Sequence, residues 1–155
     1  DGLTHLLRQA AETLDDQVKR AVAQGATLRT GGEMDDTSAY YSPAVLTDLP
    51  VGSDVYYEEF FGPVAEIYKV SSEAEAVELA NNSYQGLGGA VFSDDTDRAI
   101  KVADQIETGM IHVNLGQYFS AVLPFGGVKR SGFGRELSVF ALDEFVNKQY
   151  LYVND

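Results

Sequence analysis

The sequence predicts an α/β fold with a mainly parallel sheet and crossover helices. Two observations carry that expectation. From residue 64 onward, short strand-like runs alternate with amphipathic helical stretches in the order β-α-β-α-β, the pattern of parallel strands joined by crossover helices. The chain also has 155 residues, the length of one ordinary domain. A domain of that size buries roughly two thirds of its unfolded surface and needs no disulfide or metal to fold.

Residues 3–24 read as a helix, because Leu14, Val18, Ala21 and Val22 follow the i, i+4, i+7, i+8 spacing of one apolar face. Gly25 is placed to end it. Residues 26–30 form a short strand, and residues 33–39 a polar loop. Residues 40–46 contain Pro43 and so predict an edge strand or an extended segment. Phe61-Gly62-Pro63 is a bend, and residues 64–70 alternate as a strand. Ser72 and Glu75 have capping-box spacing and open a helix to about Asn81. Residues 88–92 suit a buried strand. Asp94, Asp95 and Asp97 open the next helix, with Ala99, Val102, Ala103 and Ile106 on one face and Gly109 at its end. Residues 110–114 are a further strand, residues 115–123 a loop rich in aromatics, and residues 124–136 a glycine-rich stretch. A short helix near residues 139–143 and a final strand over residues 148–153 close the chain.

Composition excludes several classes of function. Twenty-four acidic residues face 11 basic ones, for a net charge of −13, so no nucleic acid and no anionic membrane is expected as a partner. No apolar run reaches the roughly 18 residues of a membrane span, and no signal peptide is evident. A cytoplasmic protein is expected. There is no cysteine, hence no disulfide, no thiolate zinc site and no thiol nucleophile within the chain. The histidines are His5, expected on the helix surface, and His112, expected as a structural residue in a strand. The first residue, Asp1, is not a methionine, which suggests a processed or excised piece.

Taken singly, the remaining motifs are modest. Gly132-Phe133-Gly134 begins like a dinucleotide fingerprint, but the third glycine position is Leu137 and no strand precedes it. Gly127 to Gly132 has Walker spacing without the following Lys-Ser/Thr pair. A structural loop that uses glycine dihedrals is the simpler reading. Glu58 and Glu59 are neighbours on an extended segment and therefore point to opposite faces. They do not form one acid–base pair, and two surface glutamates before a turn is the reading that holds in most proteins. The cluster Asp94, Asp95, Asp97 lacks the glycine and distal glutamate of a calcium loop and reads as charge placed at a helix start. Tyr118 and Phe119 lie in a loop, where aromatics commonly line pockets, and Ser120 has no general base near it in sequence.

The order of motifs says more. Glu58-Glu59-Phe60-Phe61-Gly62-Pro63-Val64 resembles the E-E-x-F-G-P-V motif of the aldehyde dehydrogenase superfamily. Glu75-Ala76 with Ala80-Asn81-Asn82 resembles its E-A-x-x-x-A-N helix, and Gly86 to Phe92 its Y-G-L-x-x-x-V-F strand, with the tyrosine one place early at Tyr84. Gly109 to Asn114 resembles its G-x-x-x-x-N strand. Pro124 to Glu136 resembles its closing P-F-G-G-x-K-x-S-G-x-G-R-E signature. The resemblance covers nearly the whole chain. It implies a three-layer, aldehyde-dehydrogenase-like catalytic domain, with residues 1–147 as its C-terminal part and residues 148–155 as the terminal strand of the oligomerisation region.

In that family a cysteine thiolate attacks the aldehyde, hydride passes to NAD or NADP, and water activated by a glutamate releases the acid. The cysteine, that glutamate and the dinucleotide-binding domain would lie upstream of this segment. The resemblance therefore implies a fragment, inactive alone, that positions the nicotinamide and supplies part of a substrate tunnel. Glu59 matches the residue that hydrogen-bonds the nicotinamide ribose, and Phe61 the residue beside the nicotinamide ring. Phe119, Ser120 and Phe125 fall where the family lines its substrate tunnel, with Ser120 placed to bond a substrate carboxylate. No catalytic residue and no metal ligand is implied within the chain. The implied partners are the remainder of the parent chain, a small aldehyde and further copies in a homo-oligomer. Ile106 to Met110 and the serine-bearing loop are similar to bacterial succinate-semialdehyde dehydrogenases, which points to succinic semialdehyde. The alternative is a free-standing, non-catalytic domain of the same fold that serves binding or assembly.

Overall fold

A computed structural model describes residues 2–154, with side chains from Leu6 onward; the expectation for His5 lies outside the described side chains. The chain forms two compact units, residues 1–69 and residues 70–155.

In the first unit, helix α1 (Gly2–Ala23) buries Leu14, Val18 and Ala21, while Val22 stays exposed on its flank. Gly25, with φ +117°, follows the helix as its spacing predicts. The buried face of α1 packs with Ala26, Tyr41, Ala44, Leu46, Leu49, Val55 and Phe60 to make one apolar core. Under it lies a three-stranded sheet in the order β1 (Thr27–Thr30), β2 (Ala44–Thr47), β3 (Val64–Ile67). Strand β2 is antiparallel to β1 and parallel to β3. The edge assignment for residues 40–46 is thus corrected: β2 is the central strand. Pro43 is no obstacle, because it precedes the ladder and its missing N–H is not called upon.

In the second unit, α2 (Glu73–Asn81) begins as a capping box predicts. The Ser72 hydroxyl accepts from the Glu75 N–H at 3.1 Å. The Glu75 carboxylate reaches one residue further back than the motif's usual target, to the N–H and hydroxyl of Ser71 at 2.7 and 2.6 Å. Strands β4 (Gly88–Val91) and β5 (Met110–Val113) pair in parallel, joined by α3 (Thr96–Ala103). Asp95 caps α3 by accepting from the Arg98 N–H at 3.0 Å, and Asp97 lies in its first turn. The acidic cluster is therefore accounted for by the start of this helix. Ala99 and Ala103 of its inner face are buried.

The two parallel pairs, β2–β3 and β4–β5, and the helices between strands confirm the α/β class. The hydrogen bonds divide the strands into two sheets, whereas the β-α-β-α-β order predicts one. Residues 139–145 form a 3-10 helix. The final strand predicted over residues 148–153 is not formed, because no strand among the described residues pairs with it and an extended segment becomes a strand only through a hydrogen-bonded neighbour.

Candidate functional site

The segment 58–63 leaves a 3-10 turn at Val55–Tyr57 and runs extended into β3. Its side chains alternate. Glu58 is half-buried and Phe60 is in the core, while Glu59 and Phe61 face outward. The two carboxylates consequently have different environments, as their adjacency requires. Glu58 receives both guanidinium arms of Arg20, at 2.7 and 2.8 Å, and the Gln17 amide at 3.0 Å. These bonds favour the charged form, and the Arg20 and Gln17 donors pull the Glu58 carboxyl down to about 2. Among the described residues the Glu59 carboxylate has no hydrogen-bond or ion-pair partner. Phe61, 84% exposed, stands two residues along on the same face.

The bend after Phe61 is dictated by packing. A Cβ at Gly62 would overlap the Leu14 side chain, so glycine lets the chain lie against α1. The Gly62 N–H donates to the Phe60 carbonyl at 2.7 Å and the Val64 N–H to the Gly62 carbonyl at 2.8 Å. Phe61 is thereby flanked by a buried ring and a tight turn. An outward, unengaged carboxylate beside an outward ring is suited to accept from two hydroxyls and to pack on a flat heterocycle.

In the second unit, the loop 115–125 brings Phe119 and Phe125 together. Their ring centroids are 5.6 Å apart and the planes are tilted by 33°. Ser120 lies between them in sequence and is half-buried. Its hydroxyl accepts from the Val122 N–H at a long 3.4 Å, which leaves its proton available, and its carbonyl accepts from the Leu123 N–H at 3.2 Å. Phe125 is held to Glu136 by paired backbone bonds of 2.8 and 2.7 Å. A cavity of about 220 Å³ adjoins it, walled also by Phe133, Arg135 and Glu144. His112 is half-buried, its Nδ1 3.4 Å from the Gly89 carbonyl, and borders a cavity of about 330 Å³ with Met110 and Gln117.

The glycine-rich stretch is a scaffold for this loop. Gly86 ties three segments: its carbonyl accepts from the Gly109 and Val128 N–H groups, both at 2.9 Å, and its N–H donates to the Ser131 hydroxyl at 2.9 Å. Arg135 donates to the Gly127 and Gly134 carbonyls at 3.0 and 2.6 Å. Gly132 and Gly134 adopt φ of +109° and +83°. These ties agree with the structural reading of the stretch over a phosphate loop.

Asn81 was legible only as part of a motif, yet it connects the end of α2 to the turn before β5. Its side chain donates to the Gln105 carbonyl and accepts from the Glu107 N–H, each at 2.8 Å. Its own carbonyl takes the Lys129 ammonium at 2.7 Å. Gln17 and Arg20 belong to none of the sequence motifs. The available signal was a polar residue, Gln17, set among Leu14, Val18 and Ala21 on the apolar face.

These features define an α/β protein with two candidate sets: an exposed carboxylate and aromatic ring, Glu59 and Phe61, in the segment before β3, and Phe119, Ser120 and Phe125 in the loop after β5. The chain belongs to the aldehyde dehydrogenase family, whose pattern it matches over residues 5–151. It is 52% identical over 142 residues to the succinate-semialdehyde dehydrogenase [NADP(+)] of Deinococcus radiodurans, covering 91% of this chain and 30% of that protein. Among solved structures it is similar to succinic semialdehyde dehydrogenase from Streptococcus pyogenes in complex with NADP+, with 46% identity and a TM-score of 0.89 over 96% of this chain and 33% of that one. Betaine aldehyde dehydrogenase from Staphylococcus aureus in complex with NAD+ is 35% identical, with a TM-score of 0.83 over 88% of this chain and 28% of that one. The chain thus spans about a third of the length of the relatives it matches. No helix among the described residues is long and apolar enough to cross a membrane.

Proposed function

We propose that this chain supplies the nicotinamide-ribose contact and part of the aldehyde-binding wall of an NAD(P)-dependent aldehyde dehydrogenase acting on succinic semialdehyde. The observation that carries the reading is the division of labour between Glu58 and Glu59: one carboxylate is consumed by Arg20 and Gln17, the other is presented with Phe61 and no partner of its own among the described residues. That pair fits a nicotinamide riboside. Bound there, NAD or NADP supplies the ring that accepts hydride. Glu59 accepts from the two ribose hydroxyls, and Phe61 limits the positions of the ring.

Phe119 and Phe125 offer an apolar wall to the carbon chain of the aldehyde, and the Ser120 hydroxyl donates to its far carboxylate. The chain has no cysteine. The thiol nucleophile is therefore supplied by residues outside these 155, which are the partner this chain needs in order to turn over substrate. Residues 148–155 are proposed to complete a sheet between copies in a homo-oligomer, where the backbone of residues 148–154, in no strand pairing among the described residues, finds its partner.

The experiment is a titration of NADPH fluorescence with the enzyme that carries these residues. Glu59→Gln keeps the shape and loses the charge, and is expected to weaken dinucleotide binding by about tenfold, the range of one charge-assisted hydrogen bond. Affinity equal to the unsubstituted enzyme overturns the assignment.

A further inference from the structure

We infer that Gln17 and Arg20 of α1 are positioning residues for the nicotinamide dinucleotide, acting through Glu58 to hold Glu59 and Phe61 on one outward face; the inference rests on the proposed role of those two residues. Gln17 is the one buried amide or charged side chain among the described residues, 8% exposed. Both N–H bonds of its amide go to a segment some forty residues away. One reaches the Glu58 carboxylate at 3.0 Å and the other the Glu59 backbone carbonyl at 3.1 Å. Both partners are acceptors only, so the orientation of the amide is set by chemistry.

Arg20 is itself held at two ends. Its Nε donates to Asp16 at 2.7 Å while its two arms grip Glu58. The fork-to-carboxylate geometry admits one orientation of Glu58. Fixing the Glu58 side chain and the Glu59 carbonyl together fixes the peptide between them, and with it the direction of the Glu59 Cα–Cβ bond. Period-two alternation then carries the setting to Phe61, whose neighbours Phe60 and Gly62 are locked against the core.

A core position filled for packing alone would favour leucine, because a buried amide costs stability unless its bonds are used. Here the bonds span from α1 to the segment that presents Glu59. That is the arrangement expected when orientation is what the bonds provide.

The test is made in the enzyme that carries these residues, with NADPH as the probe. Gln17→Leu and Glu58→Gln are each expected to weaken NADPH binding by about five- to twentyfold and to raise the dinucleotide KM while leaving the aldehyde KM in place. Gln17→Leu is expected to keep or raise the thermal midpoint, so a loss of affinity cannot be assigned to unfolding. In a Glu59→Gln background, Gln17→Leu is expected to have no further effect on affinity, because the two act on one contact. Arg29→Met, which breaks an exposed pair with Asp48, serves as the control and is expected to bind as the unsubstituted enzyme does.

Unchanged NADPH affinity in both Gln17→Leu and Glu58→Gln, with Glu59→Gln weakened, would overturn the positioning role and leave the ribose contact standing. Unchanged affinity in Glu59→Gln and Phe61→Ala would overturn the ribose contact beneath it. Equal losses in Arg29→Met would show a general effect of destabilisation and also overturn the inference.

Discussion

Residues 1–69 and residues 70–155 are held together in different ways. The first unit has a core: Leu14, Val18, Leu46, Leu49, Val55 and Phe60 are buried around one sheet. In the second unit, Ala99 and Ala103 are the buried apolar residues among those described, while Phe92, Phe133, Leu142, Phe145, Tyr150 and Leu151 are mostly exposed. What organises the second unit is a set of polar ties through Gly86, Asn81, Ser131 and Arg135. The difference separates two sources of order. Burial is non-directional and roughly proportional to area, so it holds the first unit firmly without specifying each contact. Hydrogen bonds are directional and contribute only about 0.5–1.5 kcal/mol each, so they can shape a loop such as 115–125 while adding little stability.

The comparison is open to three tests within the 155-residue chain. The largest effect is expected from Leu46→Ala, at a position 0% exposed, which should cost about 2–5 kcal/mol in urea unfolding. Phe133→Ala, at a position 99% exposed, should stay within about 0.5 kcal/mol despite removing a larger side chain. Comparable losses from the two would break the contrast.

A smaller effect, in the second unit, should follow Gly109→Ala. The new Cβ would overlap the Gly126 carbonyl, which is backbone and cannot step aside. A cost of about 1–3 kcal/mol is expected, with faster hydrogen exchange at Val128, whose N–H shares the Gly86 carbonyl with that of residue 109. Exchange rates left as they were would show that these ties do not organise the unit.

The smallest effect has the opposite sign. The Tyr41 hydroxyl is buried without a hydrogen-bond partner among the described residues, and burial pushes its ionisation upward. Tyr41→Phe removes an unsatisfied group and should stabilise the first unit by up to about 1 kcal/mol. A lower unfolding midpoint in the variant would show that the hydroxyl is satisfied in solution.

Much of this was legible in the residues. The apolar face of α1, the capping serine of α2, the capping aspartate of α3 and the opposite faces of Glu58 and Glu59 all follow from short-range spacing. The central place of β2 did not, because Pro43 speaks only of its own N–H and not of which strands flank the segment. That the final strand has no partner among the described residues was hidden for a related reason, since alternating side chains describe a strand's surface and not its partner. At the candidate site, the ordered motifs pointed to Glu59 and Phe61, whereas Gln17 and Arg20 went unnoticed because their partners lie some forty residues away.

The sequence by itself determined the α/β class, the family and where the helices begin, since these rest on periodicity, caps and motifs that are local in the chain; the end of α3 it did not, because the helix stops at Ala103 and leaves Ile106 and Gly109 beyond it. Only the tertiary structure decided that Arg20 and Gln17 occupy Glu58 and leave Glu59 outward beside Phe61. It also decided that glycine turns and backbone ties, more than apolar burial, shape the loop bearing Phe119, Ser120 and Phe125. The physical reason is distance along the chain. A hydrogen bond between α1 and residue 58 leaves no periodic trace in either segment, and becomes visible only when folding brings the donors to the acceptor.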